Sequence, residues 1–144
     1  MVLDAKGRVF VGKRIDQSIE AWQMPQGGID EGEAPEETMR RELKEEISTD
    51  HVQILREHPD WLTYDLPANL IGIALHGRYR GQRQRWFALR FTGEDGDIRR
   101  DADPHPEFDA WRWTQIGELP SLAVDFKKPI YTILMASFAR FAQS

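Results

Sequence analysis

The segment from Pro35 to Ile47 constrains the fold of this chain more than any other stretch of its sequence. Pro35 suits the first position of a helix, and the two glutamates that follow it favour the positive end of a helix dipole. Met39, Leu43 and Ile47 then recur every fourth residue, which predicts a helix with one apolar stripe. Such a helix must bury its stripe against another layer of secondary structure, so we expect a layered domain.

The rest of the chain predicts short strands and a second helix. Met1–Leu3 and Arg8–Val11 flank a turn signal and predict a hairpin. Further strands are predicted at Val52–Leu55, Trp61–Tyr64, Gln84–Phe91 and Ala110–Trp113. Pro129 predicts the start of the second helix, with an apolar face made of Ile130, Ile133, Leu134, Phe138 and Phe141. Strands interleaved with two helices predict an α/β or α+β fold in a single domain, residues 1–144.

Composition excludes several classes of protein. The chain has no cysteine, which rules out disulfides and thiolate metal sites and fits a reducing compartment. No apolar run approaches the roughly 18 residues that a membrane span requires, and the N-terminus lacks a signal-peptide pattern. We therefore expect a cytoplasmic protein that has no membrane partner.

Acidic and basic residues are segregated along the sequence. Acidic residues crowd positions 30–46, whereas the stretch from Leu66 to Gly93 contains five arginines and no acidic residue. The net charge of −5 argues against a generic nucleic-acid binder, because phosphate backbones attract cations. An acidic cluster and a basic segment in one domain suit a site that holds metal and phosphate together. Two solvated surfaces of opposite charge are an equally open alternative.

Three glutamates share one face of the predicted helix. Glu42, Glu45 and Glu46 stand at positions i, i+3 and i+4, and Arg41 reaches Glu45 only in the weaker orientation. The face therefore concentrates negative charge without comparable relief, which suggests a missing cation. Carboxylate oxygens of this kind suit Mg²⁺ or Mn²⁺. An isolated acidic helix face is, however, more often simply solvated.

The spacing around this helix favours the metal site. Gly27 is followed after five residues by Glu33, and after seven more by the string Arg41-Glu42-Leu43-Lys44-Glu45-Glu46. This pattern resembles the Nudix box and matches seven of its nine specified positions. The departures are Ser48 in place of a glycine and Thr49 in place of an apolar residue, which puts the end of the helix in doubt.

The resemblance implies a fold, a cofactor and roles for individual residues. The fold would be a Nudix-type three-layer α/β/α sandwich with a central mixed sheet, and the cofactor two or three Mg²⁺ or Mn²⁺ ions. The implied metal ligands are Gly27, Glu42, Glu45, Glu46 and Glu107. Catalytic roles fall to Arg41, Glu45, Glu46 and Glu107, with the general base left open among the three glutamates, and Glu33 would brace Arg41. The ions would lower the pKa of a water that attacks phosphorus.

Stretches outside the box are similar to the bacterial RNA pyrophosphohydrolases, which are close relatives of the dinucleoside polyphosphate hydrolases. The similarity is carried by residues 22–28, 61–67, 81–87 and 106–113. It implies substrate contacts at Arg14, Tyr64, Arg85, Phe126 and Lys127. The implied reaction removes pyrophosphate from the 5′-triphosphate end of RNA, which leaves a 5′-monophosphate and promotes mRNA decay. The alternatives are hydrolysis of diadenosine tetra- or pentaphosphate and, in a different class, an inactive Nudix-fold module that binds nucleotide or RNA.

The N-terminal strand is expected to be shortened. The resembling enzymes usually carry more residues before the stretch that corresponds to Met1–Leu3. A lost strand would expose a sheet edge and invite pairing with another chain. The sequence leaves open whether the protein is a monomer or a weak dimer, and it identifies no protein activator.

Overall fold

A computed structural model describes residues 1–15, 21–26, 32–68, 81–99 and 108–143. Within these ranges the strands are β1 (Val2–Leu3), β2 (Val9–Arg14), β3 (Trp22–Gln23), β4 (Val52–Glu57), β5 (Leu62–Asp65), β6 (Gly81–Gln84), β7 (Phe87–Phe91) and β8 (Phe108–Thr114). The helices are α1 (Pro35–Ile47), α2 (Leu119–Leu122) and α3 (Lys128–Ser137). Single 3₁₀ turns lie at 95–97, 116–118, 125–127 and 139–142. The predicted hairpin is formed by β1 and β2, and the predicted first helix is α1.

The central sheet is mixed, as predicted. Its strands follow the order β3-β2-β1-β7-β4. β1 pairs with the start of β2 and β3 with its end, whereas β8 pairs along β2 from Val9 to Arg14. β1 runs parallel to β7, whereas the other neighbours are antiparallel. β1 is bonded on both sides, so in the described part of the chain the expected open edge does not occur at this strand. β5 and β6 form a separate two-stranded antiparallel sheet.

Alternating side chains place one core on each face of the central sheet. On β2, Phe10 packs in the same cluster as Leu43 and Ile47 of α1. The neighbouring residues of that strand, Val9 and Val11, join a second cluster that includes α3 and the two-stranded sheet. Side chains alternate between faces along a strand, so α1 and α3 cover opposite faces. The result is the expected α/β/α layering.

The apolar face of α3 differs from the prediction at one position. Ile130 and Leu134 are buried with Tyr131, but Ile133 is 44% exposed. At 100° per residue, Ile133 lies about 110° around the helix from the middle of the buried stripe. Phe138 lies just beyond the helix and is fully buried. In the described part of the chain, no helix is both long and apolar enough to cross a membrane.

The predicted strand Gln84–Phe91 is in fact two strands. β6 ends at Gln84 and pairs with β5, whereas β7 begins at Phe87 and pairs with β1 and β4. The buried indole of Trp86 donates from Nε1 to Gln84 Oε1 at 2.9 Å, across the break. The run of apolar residues continues through the break, so the sequence predicts a single strand. In the structure the backbone leaves the two-stranded sheet after Gln84 and enters the central sheet at Phe87.

Helix α1 ends on a residue with left-handed backbone geometry. Ser48, which replaces the glycine of the motif, has φ 70° and ψ 4°, and its N–H donates to the Lys44 carbonyl. Thr49 is buried, and its Oγ1 accepts a hydrogen bond from the His51 N–H at 3.2 Å. The helix therefore ends with the geometry that a glycine would favour, at the cost of a Cβ in a strained region.

This strain leads to a stability prediction. Ser48→Gly should raise the free energy of unfolding by about 1 kcal/mol, because glycine adopts positive φ without the steric cost of a Cβ. For a chain of this size the melting temperature would rise by about 3 °C. Thermal denaturation followed by circular dichroism measures the shift. Ser48→Ala keeps the Cβ and should give no increase; equal melting temperatures for the two variants would contradict the explanation.

Candidate active site

Arg41 is the centre of an acidic cluster at the start and middle of α1. Its Nε and Nη2 donate to the two carboxylate oxygens of Glu33, each at 2.8 Å, in a bidentate pair. Nη1 donates to Glu42 Oε1 at 2.9 Å and lies 3.3 Å from both oxygens of Glu45. Thr38 also donates from Oγ1 to Glu33. The guanidinium thus joins the segment before the helix to two of the three glutamates on the acidic face.

These contacts correct the expectation that the acidic face lacks relief. Arg41 offsets part of the charge of Glu42 as well as that of Glu45, because its planar guanidinium presents several donors at once. Helical spacing alone suggested only the i, i+4 contact with Glu45. The argument for a missing cation therefore depends chiefly on Glu46.

Glu46 is a carboxylate in a buried position. It is 4% exposed, and its Oε2 accepts a hydrogen bond from the Gln26 N–H at 3.1 Å. The segment Met24–Gln26 that supplies this contact is itself held by α3, because the Met24 N–H donates to the Tyr131 hydroxyl at 2.8 Å. Burial raises the pKa of Tyr131 well above its usual range, and the negative charge of Glu46 adds to the increase. The Tyr131 hydroxyl therefore stays protonated beside the carboxylate.

The donor set of α1 fits a hard divalent cation in type. Glu42, Glu45 and Glu46 offer only carboxylate oxygens, and a buried carboxylate such as Glu46 is costly without a cation nearby. Within the described ranges, however, no three acidic or histidine side chains lie close enough together to hold an ion by themselves. The other two ligands implied by the sequence, Gly27 and Glu107, lie outside the described residues.

A small pocket lined by two basic side chains, which we call the cationic pocket, lies next to the segment Met24–Gln26 on the side of α3. Its lining residues are Arg14, Ala21, Trp22, Gln23, Val124 and Lys127. Arg14 Nη1 and Lys127 Nζ both donate to Gln23 Oε1, at 3.3 Å and 3.2 Å. Lys127 is a buried residue, so the pocket places a cation in a largely dry environment. Such a pocket attracts an anionic ligand.

Two aromatic rings lie next to these cations. The rings of Tyr64 and Phe126 have centroids 5.3 Å apart, and Lys127 Nζ is 5.7 Å and 5.9 Å from their respective centroids. Burial raises the pKa of Tyr64, while its hydrogen bond with Gln26 and the charge of Arg14 partly oppose the rise. The hydroxyl of Tyr64 thus links the pocket to the segment that contacts Glu46. The structure thus brings together four of the five predicted substrate residues, namely Arg14, Tyr64, Phe126 and Lys127.

Arg85, the fifth predicted substrate residue, lies elsewhere. Its Nε donates to Glu57 Oε1 at 2.7 Å and its Nη1 to the Pro59 carbonyl at 3.0 Å. Its guanidinium also lies 5.4 Å from the ring centroid of Trp61. As far as the structure describes the chain, Arg85 makes no hydrogen bond with the other predicted site residues.

The sequence that forms this site belongs to a stretch that matches a known family. The sequence profile of the NUDIX domain matches residues 1–134. The chain belongs to the Nudix hydrolase family. Membership confirms the resemblance drawn from the motif between Gly27 and Glu46, despite the departures at Ser48 and Thr49.

Curated Nudix relatives match almost the whole chain. The RNA pyrophosphohydrolase of Gluconacetobacter diazotrophicus is 56% identical, with 99% of this chain and 90% of that protein covered. The RNA pyrophosphohydrolase of Rhodospirillum rubrum is 54% identical and covers 99% of this chain and 85% of its own length. These relatives extend the similarity well beyond the motif.

Solved Nudix structures share the fold. The dihydroneopterin triphosphate pyrophosphohydrolase of E. coli superposes with a TM-score of 0.71 at 19% identity, covering 95% of this chain and 93% of that one. An Ap4A hydrolase of C. elegans superposes with a TM-score of 0.64 at 15% identity, covering 96% and 95%. The predicted α/β fold with a mixed central sheet is thereby confirmed.

Three residues of the site were not identified from the sequence. Gln23, Gln26 and Tyr131 connect the cationic pocket to Glu46 through the contacts described above. A glutamine inside an apolar strand, as at Gln23, is the signal that could have revealed the first of them. Tyr131 follows Ile130 on the buried stripe of α3 and carries the polar atom of that stripe.

Proposed function

We propose that this Nudix hydrolase is a metal-dependent RNA pyrophosphohydrolase. It removes pyrophosphate from the 5′-triphosphate end of RNA, leaves a 5′-monophosphate, and in this way promotes mRNA decay. The observation that carries the proposal is the 56% identity, across 99% of the chain, with a relative named RNA pyrophosphohydrolase. The pocket lined by Arg14 and Lys127, with the rings of Tyr64 and Phe126 next to Lys127, supports the same substrate class. We propose that residues 1–144 form a single catalytic domain.

Glu42, Glu45 and Glu46 would hold two or three Mg²⁺ or Mn²⁺ ions, together with Gly27 and Glu107. When bound, such ions neutralise phosphate oxygens and lower the pKa of the attacking water. Arg41 and Glu33 keep the glutamates in place, and a carboxylate among Glu45, Glu46 and Glu107 takes the proton from the water. Gathering hard oxygen donors on one turn of helix supports this assignment.

The substrate would enter through the cationic pocket. Arg14 and Lys127 meet phosphate oxygens, because two cations near one buried acceptor favour an anion. A nucleobase stacks on Phe126 or Tyr64, whose rings are adjacent. We propose Arg85 as a further phosphate contact, which requires it to exchange its hydrogen bond with Glu57 for one with the substrate.

An assay with labelled RNA tests the proposal. RNA with a γ-labelled 5′-triphosphate, incubated with the protein and Mg²⁺, should release labelled pyrophosphate and leave a 5′-monophosphate end. Addition of excess EDTA should stop the release, because hard divalent ions are removed. A release no faster than in buffer, with either Mg²⁺ or Mn²⁺, would leave only a nucleotide- or RNA-binding module of the same fold.

Diadenosine tetra- or pentaphosphate is the second candidate substrate. The adjacent rings of Tyr64 and Phe126 suit an adenine as well as an RNA base, since every base has an aromatic face. Competition between the two substrates at matched concentration shows which has the higher kcat/KM. We further propose a cytoplasmic monomer or weak dimer with no membrane partner; no protein activator is identified.

A further inference from the structure

Gln23 holds two cations with one neutral oxygen. Its Oε1 accepts hydrogen bonds from Arg14 Nη1 at 3.3 Å and from Lys127 Nζ at 3.2 Å. The two donors come from distant parts of the sequence, the end of β2 and the 3₁₀ turn before α3. Because the residue is only 4% exposed, this shared oxygen lies in a largely dry environment where such contacts are strong.

The two cations fix the orientation of the Gln23 amide. The opposite orientation would turn the amide NH₂ group, which is also positive, toward both Arg14 and Lys127. Nε2 is buried and has no hydrogen-bond partner among the residues that the structure describes. A buried donor without a partner is unfavourable, and an acceptor atom supplied by a ligand would relieve it. Gln23 also belongs to the lining of the pocket that holds both cations.

We infer that Gln23 is a positioning residue for the anionic part of the substrate. Its amide oxygen sets the spacing of Arg14 and Lys127, and its amide NH₂ donates to a phosphate oxygen of the nucleic acid. As a neutral residue it holds both cations without cancelling their charge, which a glutamate at the same place would do. The inference builds on the proposed function, because it assumes that a phosphorylated nucleic acid enters this pocket.

Two substitutions of Gln23 distinguish the effect of losing its hydrogen bonds from the effect of changing the charge of the pocket. Gln23→Met keeps the length and burial of the side chain but removes the amide, so the cations lose their shared acceptor while their charge is unchanged. Gln23→Glu keeps an acceptor but adds a negative charge between the cations. Gln53→Glu, at an exposed position of β4, makes the same charge change away from the pocket and is the matched control.

The measurement is the binding of a 3′-labelled RNA with a 5′-triphosphate, followed by fluorescence anisotropy in EDTA over a range of salt concentrations. Gln23→Met should raise Kd about tenfold, the loss expected for one charge-assisted contact, and leave the salt dependence unchanged. Gln23→Glu should raise Kd about a hundredfold at low salt and reduce the slope of log Kd against log salt by about one. With Mg²⁺ present, both variants should change KM far more than kcat.

RNA binding in EDTA does not depend on turnover. The experiment can therefore reject the proposed function and the inference about Gln23 independently of each other. Normal RNA binding with the expected variant effects, but without pyrophosphate release, would reject the proposed function and support the inference about Gln23. Wild-type Kd and salt slope in both Gln23 variants would overturn the inference, as would an equal change in slope for Gln53→Glu. Melting temperatures show that each variant is folded at the assay temperature; if Gln23→Glu is unfolded, the Kd of Gln23→Met decides.

Discussion

Replacing Glu46 with glutamine should lower kcat by about a thousandfold, the scale seen when a single group that stabilises charge in a transition state is removed. The substitution keeps the size of the side chain and leaves an amide oxygen that can accept the Gln26 N–H. It removes the most buried of the three carboxylates on the acidic face, and a charge acts more strongly where water is largely excluded. Turnover of 5′-triphosphate RNA at saturating substrate measures the effect.

The fold and the RNA affinity in EDTA should survive this change. Without metal, loss of a buried negative charge should leave the melting temperature equal or slightly higher. Added Mg²⁺ should raise the melting temperature of the wild type, because it binds only the folded state, and should raise that of Glu46→Gln less. Glu37→Gln, at an exposed position on the same helix, is the control. If Glu42→Gln, Glu46→Gln and Glu107→Gln all keep wild-type turnover, the site is assigned to the wrong residues.

Arg41→Ala should reduce both stability and activity. The guanidinium bonds Glu33 in a bidentate pair and also contacts Glu42 and Glu45, so its loss leaves three neighbouring carboxylates without their shared cation. The cluster is partly exposed, so we expect a loss of about 2 kcal/mol, between the values for surface and buried ion pairs. The melting temperature would fall by about 6 °C. Turnover should drop roughly 10- to 100-fold, as when residues that orient metal ligands are removed.

Arg40→Ala is the matched control for this prediction. Arg40 is the preceding residue on the helix and makes an i, i+4 pair with Glu36 at 3.6 Å, where both side chains are exposed. Its loss should cost at most about 0.5 kcal/mol and leave turnover unchanged. Arg41→Lys should recover only part of the stability, because an ammonium cannot bond Glu33 through two parallel donors. Equal effects of Arg40→Ala and Arg41→Ala would show that Arg41 is an ordinary surface charge.

Local patterns in the sequence were sufficient to predict α1 and the layering of the fold. Met39, Leu43 and Ile47 repeat at helical spacing, and Pro35 begins the helix where it was expected. The pattern of strands and helices alone did not distinguish an α/β fold from an α+β fold. The mixed sheet and the three layers were implied by the resemblance that the Nudix box carries. Helical periodicity and motif spacing are encoded within short segments, so they do not depend on knowing the rest of the fold.

Features that depend on distant contacts were not predictable in this way. The strand break after Gln84 follows from a change of partner, because β6 pairs with β5 whereas β7 pairs with β1 and β4. The exposure of Ile133 follows from the direction in which α3 faces the sheet. The resemblance implied the pair of Arg41 with Glu33, but the additional contact of Arg41 with Glu42 depends on one rotamer of a long side chain. Gln23 meets Lys127 across 104 residues of sequence, a pairing that no local pattern encodes.

The hydroxyl of Tyr131 couples the position of α3 to the position of Glu46 on α1. It fixes the Met24 backbone from the α3 side, and two residues later the Gln26 backbone fixes Glu46 on the α1 side. A substitution that repacks α3 would therefore shift a carboxylate on the opposite side of the sheet. Variants of α3 designed for higher thermal stability should for this reason be screened by turnover as well as by melting temperature, since a more tightly packed α3 can displace Glu46 on α1.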